Sequence, residues 1–288
     1  MKAIRTLLAL GLALGVWLSG GLGAQSPALP WFFLQFSDPQ FGAFTGNGEF
    51  SQETVNFEFV VATANRLRPA FVVVTGDLVN KPGDAAQIAE YRRIAAGLDP
   101  AIPLYNVAGN HDVENVPTPD SIAAYRALFG PDYYSFRQGS LVGIVLDSSL
   151  IHSPQEAEEL AGAHERWLKA ELAGARTGDA RHIVVFTHHS FFLRQPDEPD
   201  EYFNIPRARR DGYLALLRES GVRQVFAGHY HRNAYGRDGD LEMITTGPVG
   251  RPIGEAKSGF RVVIVDGDTI GHQYYELGEI PNRVALTK

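Results

Sequence analysis

The stretch VFAGHYHRNA sets His229 and His231 one residue apart, directly after an apolar run and a glycine. Four other apolar runs end in side chains that can also hold a cation. WFFLQFS leads into Asp38, FVVVTG into Asp77, LYNVAG into Asn110 and HIVVFT into His188. A mixture of carboxylate, amide and imidazole suits first-row divalent metals such as Mn, Fe or Zn, whereas Ca and Mg prefer oxygen alone. Gly76, Gly109 and Gly228 precede three of these residues. Glycine there permits sharp turns and lets backbone and side chains crowd together. The chain has no cysteine, which excludes thiol nucleophiles, thiolate metal sites, disulfides and a lipid-anchored cysteine.

The elements that must position these residues are short β-branched or aromatic runs separated by longer amphipathic segments, the pattern of an α/β protein. Helices are expected over 52–66, 84–97, 119–129, 155–172 and 207–220. From 233 to 275 the chain reads as strands joined by the turn signals RDGD and DGDT. Ligands of open α/β sheets gather outside the carboxyl ends of the strands, so five separate loops would converge on one spot.

With 288 residues, 44% hydrophobic and 20% charged, the composition fits one globular domain. Lys2 and Arg5 precede the apolar stretch from Leu7 to Leu18, and small residues follow it, as in a secretory leader cleaved near Ala24. Twelve helical residues rise about 18 Å, short of a hydrocarbon core of about 30 Å, so cleavage is favoured over a retained membrane anchor. The expected product is one domain over 25–288, exported to the periplasm or secreted, and monomeric. Losing Lys2 and Arg5 takes the formal charge from −7 to −9. An acidic exterior argues against nucleic acid or an anionic membrane as partner.

The motifs SDPQ, GDLV, GNHD, the TH of FTHHS and GHYH occur in an order and spacing that resembles the calcineurin-like metallophosphoesterases. The pairing of GNHD with GHYH is specific; GD alone is not. DPQFG, AIPL, FGPDYYSF, YFN, GHYHRNA and RVV extend the likeness, from Trp31 to Tyr275, to that family's calcineurin-like phosphoesterase domain-containing branch of Ser/Thr phosphatases. The resemblance implies a four-layer α/β/β/α sandwich, two mixed sheets between helices. It also implies two divalent ions, one held by Asp38 and His231 and the other by Asn110, His188 and His229, with Asp77 bridging. Such ions, about 3.5–4 Å apart, clamp the attacking and leaving oxygens of an in-line displacement. Direct attack of a metal-bridging hydroxide without a covalent phosphoenzyme is then expected. Two divalent ions, two carboxylates and that hydroxide leave a local charge of about +1, which attracts phosphate although the chain is acidic.

In the family, the histidine at the position of His111 protonates the leaving oxygen and is oriented by the aspartate after it, here Asp112. A carboxylate partner would keep the imidazole protonated, and His111 and Asn110 would face the substrate. Asp112 could instead serve only as a turn cap. Most of the family carries histidine where this chain has Gln40. An amide oxygen is a weaker ligand than imidazole for these metals, so the first ion should be held less tightly. A phosphomonoesterase acting on small esters or phosphopeptides is the leading activity and a phosphodiesterase for nucleotides or lipid head groups the alternative. The intact His111–Asp112 pair argues against a non-catalytic receptor.

His189 neighbours His188 and should face the other way. His152, His164, His182 and His272 lie outside the motifs and read as ordinary core or surface residues. The segment 194–204, RQPDEPDEYFN, is a proline-broken acidic loop between two ligand-bearing strands. If it overhangs the site, its carboxylates would disfavour polyanions. NVPTPD, 115–120, is a second candidate wall.

Overall fold

The computed structural model describes residues 29–286; the leader expected at residues 1–24 lies outside the described residues. In chain order the first half runs β1 (Trp31–Phe36), α1 (Ser51–Leu67), β2 (Val72–Val74), α2 (Ala85–Ala95), β3 (Leu104–Asn106), α3 (Asn110–Val113) and α4 (Pro119–Phe129). The middle holds β4 (Tyr134–Gln138), β5 (Leu141–Val145), α5 (Ser148–His152), α6 (Glu158–Thr177) and β6 (His182–Phe186). Then come α7 (Arg207–Glu219), β7 (Gln224–Ala227), β8 (Ala234–Asp238), β9 (Leu241–Thr245), β10 (Gly259–Asp266) and β11 (Thr269–Glu276).

The strands form two mixed sheets, ordered β11-β10-β1-β2-β3 and β4-β5-β6-β7-β9-β8. Period-two alternation explains how they stack. Phe32, Leu34 and Phe36 of β1 join α1, α2 and α4 in one core, while Phe33 turns to the other face and meets Phe186 and Phe226 of the second sheet. On β5, Val142 and Ile144 pack with Leu168, Leu172, Leu214 and Leu217 of α6 and α7, and Leu141 and Val145 face the first sheet. The layers are therefore helices, sheet, sheet, helices, as the resemblance implies. Gln35 crosses the middle, donating to the Ala227 carbonyl at 3.0 Å and accepting from Thr246 at 2.6 Å. With a second donation to Thr75 Oγ1 at 3.1 Å, both the oxygen and the nitrogen of this buried amide are partnered between the sheets.

Within the first sheet β1, β2 and β3 are parallel, and within the second β5, β6, β7 and β9 are. Five of these carboxyl ends lead into the candidate ligands. The RDGD and DGDT turns close the antiparallel pairs β8–β9 and β10–β11. The helix expected over 155–172 instead spans Glu158–Thr177: it runs through Gly174 and stops at Gly178. Among the described residues, no helix is long and apolar enough to cross a membrane.

Candidate metal centre

Asp38, Asp77, Asn110, His188, His229 and His231 are buried together where the two sheets' strand ends meet. Ligand atoms of Asp77, His188 and His229 all lie within 4.8 Å of one another, as do those of Asp38, Asp77 and His231. Asp77 is common to both groups. His188 Nε2 stands 3.2 Å from Asp77 Oδ1 and 2.9 Å from Asn110 Oδ1, and His231 Nε2 stands 3.4 Å from Asp38 Oδ1.

Each imidazole is aimed by a backbone carbonyl. His188 Nδ1 meets Thr75 O at 2.8 Å, His229 Nε2 meets Tyr202 O at 3.0 Å, and His231 Nδ1 meets Arg251 O. A carbonyl only accepts, so that nitrogen carries hydrogen and the other is turned into the cage, where a bound cation would take its lone pair. This is how proteins orient metal-binding histidines. Two further atoms suit a cation: Gln40 Oε1 and Asp77 Oδ2 are buried without a hydrogen-bond partner. Unpartnered buried oxygens are costly, and together with this donor set they fit divalent metal.

The ionisation balance shows the same demand for positive charge. Burial raises the Asp77 carboxyl, but His188, His111 and His229 outweigh it and hold Asp77 well below the usual carboxylate range. Burial pulls His188 down, yet Asp77 and Asp38 leave it raised to about 9. His229, buried and repelled by His188, falls to about 3 in spite of Asp77.

The turns that deliver these side chains are strained. Asp38, Gln40, Asp77, His229 and His231 all have positive φ, between 40° and 67°. Non-glycine residues there cost roughly 1–3 kcal/mol each and cluster where function over-determines the backbone. The preceding glycines divide between the two expected purposes, sharp turn and close approach. Only Gly76 is left-handed, at φ +86°. Gly109 and Gly228 are needed for close approach, since a Cβ would strike Asp77 at the first and Ser37 and Asp38 at the second.

Asp112 does not orient His111. Its carboxylate is buried and accepts from the backbone N–H groups of Leu78 at 2.9 Å, Val79 at 3.1 Å and Gly109 at 2.8 Å. It ties the Asp77 turn to the Asn110 turn, an extended form of the capping role. Burial, aided by Asp77, pushes Asp112 up to about 8 against those three donors. The His111 ring instead meets the Asn80 carbonyl through Nδ1 at 2.8 Å, and its backbone N–H donates to Asp77 Oδ1 at 2.9 Å. Asn110 Nδ2 donates to Asn115 at 2.9 Å and to Tyr202 Oη at 3.2 Å, which turns its oxygen toward His188.

His189 is buried beside the cage, its ring 4.4 Å from that of His229, and bonds Ser148 Oγ at 2.9 Å; it belongs to neither ligand group. A cavity of about 290 Å³ opens in front of the cage, lined by Gln40, Asp77, His111, His229 and His231 with Tyr202, Phe203, Arg251 and Ile253. The acidic loop does reach this cavity, but with its aromatic residues. Glu198 turns inward onto the N–H groups of Leu193 and Arg194 at 2.6 and 2.9 Å. Buried Arg210 clamps the loop through the carbonyls of Ile205, Pro196 and Glu198. None of the loop's carboxylates lines the cavity, which removes the basis for repelling polyanions. The segment 115–120 is no wall of it either; Asn115 braces Asn110 and Thr118 caps α4. Tyr202, Phe203 and Arg251 went unread in the sequence, although the YFN motif held two of them.

Residues 33–233 match the family profile described as Calcineurin-like phosphoesterase. The chain is 38% identical over 269 residues to the Danio rerio protein named serine/threonine-protein phosphatase CPPED1, covering 88% of this chain and 87% of that one. The Homo sapiens protein of that name is 35% identical over 270 residues, covering 88% and 86%. Among solved structures, a dimetal phosphatase from Danio rerio superposes with TM-score 0.63 at 16% identity, covering 88% of this chain and 98% of that one. A Plasmodium protein described as GAP50, the anchor in the inner membrane complex, gives TM-score 0.67 at 14% identity over 86% and 85%. At such low identity both structures show a shared fold.

Proposed function

This chain belongs to the calcineurin-like phosphoesterase family and is a metal-dependent phosphoester hydrolase, and from that premise we propose that it is a phosphomonoesterase for phosphoserine- or phosphothreonine-like esters. The named relatives, Ser/Thr phosphatases matched over most of their length, support the substrate class. The observation that carries the reading is Asp77, a buried carboxylate shared by two ligand groups.

In this proposal Asp38 and His231 hold one divalent ion, with Gln40 offering its unpartnered oxygen, and Asn110, His188 and His229 hold the second. Asp77 serves both. The donor set favours Mn, Fe or Zn. When bound, the pair would supply an activated water at neutral pH and positive charge for the phosphoryl oxygens. The carbonyls of Thr75, Tyr202 and Arg251 keep the three imidazoles aimed. Asn80 fixes the ring of His111 by Nδ1, leaving Nε2 to hand a proton to the departing oxygen. Asp112 holds the two turns in register.

Metal-loaded protein should release phosphate from p-nitrophenyl phosphate at least tenfold more efficiently (kcat/KM) than it cleaves bis-p-nitrophenyl phosphate. A preference for the diester would contradict the reading. The proposal also places the mature enzyme outside the cytoplasm; amino-terminal sequencing of exported protein should begin near residue 25, and an uncut start would contradict it.

A further inference from the structure

One wall of the cavity comes from neither the cage nor His111. Arg251 stands there on the connection between β9 and β10, exposed at the mouth. Its carbonyl receives His231 Nδ1, so its main chain is bound into the cage. Its guanidinium donates through Nη1 to Ala43 O at 3.1 Å, and Ala43 lines the same cavity. Among the described residues Arg251 takes part in no ion pair. A guanidinium has five N–H donors in a rigid plane that matches phosphate oxygens two at a time. Here one is used on Ala43, which steadies the group, and no carboxylate competes for the rest.

Charge decides what such a group adds. The loaded cage carries about +1, enough to balance a phosphodiester monoanion. A monoester is close to a dianion at neutral pH, its second pKa being about 6. Matching it takes one more positive charge at the mouth, and Arg251 is the sole Lys or Arg lining the cavity among the described residues.

We infer that Arg251 is the substrate-recognition cation of this site: its guanidinium takes the non-bridging oxygens of a phosphate monoester and favours that dianion over a diester. This rests on the phosphomonoesterase reading and adds the residue that enforces it. The main-chain contact to His231 and the side-chain contact to substrate are separable, because substitution removes only the second.

The test uses the metal-loaded full chain and Arg251→Met, which keeps an apolar stem and the carbonyl. The loss of a charge-assisted hydrogen bond predicts that KM for p-nitrophenyl phosphate rises roughly ten- to a hundredfold. Calorimetric Kd for inorganic phosphate should weaken by a similar factor, with metal per chain unchanged by elemental analysis. Diester kcat/KM should change less than about threefold, as for a surface substitution that removes no specific contact. Arg251→Lys, a point charge without the fork, should fall between. Equal losses on both esters, an unchanged phosphate Kd, or loss of metal would each overturn the assignment. The wild type's preference between esters tests the parent reading, and the variant-to-wild-type ratio tests Arg251.

Discussion

His164 and His188 are both fully buried, yet their surroundings differ in every other respect. His164 sits on α6 against the rings of Tyr133 and Trp167, and neither of its nitrogens has a hydrogen-bond partner. Burial alone acts on it and pulls its pKa to about 3, so it stays neutral. His188 is gripped by a carbonyl on one side and faces Asp77 on the other, which raises it to about 9 despite the same burial. Burial of an imidazole is therefore silent about function. What distinguishes the cage is a fixed hydrogen on one nitrogen and a carboxylate in front of the other, repeated in His231.

That contrast can be broken most severely at Asp77. Replacing Asp77 by Ala removes the carboxylate common to both ligand groups; phosphate release should fall to background, with fewer than one metal per chain by elemental analysis. A variant that retains two ions would show that the shared carboxylate is dispensable. His111→Ala comes next, because it removes the proposed proton donor and leaves the cage. General acid catalysis contributes roughly 10²–10⁴-fold, so kcat should fall within that range while metal content stays at the wild-type value. Unaltered turnover would remove His111 from the mechanism.

Two smaller effects sharpen the comparison. Titrating metal into apo protein should show two unequal affinities, and Gln40→His should narrow the gap by tightening the weaker site, since imidazole replaces an amide oxygen. Equal wild-type sites would contradict the assignment. At His164 the effect is on stability. Its folded pKa, about 3, lies below the unfolded value of 6.5, so the unfolded chain binds more protons between those values. The neutral burial contributes stability above pH 6.5 and loses it as pH falls toward 3, by up to about 1.4 kcal/mol per pH unit. His164→Phe should flatten the denaturation midpoint across that window with activity at pH 7.5 unchanged; an identical acid profile would show that His164 ionises freely.

The cage was readable in the sequence because each ligand follows a β-branched or aromatic run, and side-chain identity is what a sequence records. The same logic over-reaches at β5: its run also ends in a carboxylate, Asp147, but that side chain turns back to cap α5 through Ser149 and Leu150. Asp112 takes the capping alternative and not the orienting one for a related reason, since three backbone donors outbid a neighbouring ring and backbone donors look alike in every sequence. The carbonyls of Thr75, Tyr202 and Arg251 were equally invisible, although they aim all three histidines. The short helices α3 and α5, each a turn or so long, carry too few residues for any apolar period to show.

The central claim is that Asp77 stands between two cations. Crystals grown with Mn and measured at the manganese absorption edge should show two anomalous peaks about 3.5–4 Å apart, one beside His231 and one beside His188, with the Asp77 carboxylate touching both. A single peak, or two peaks that do not share Asp77, would contradict the account.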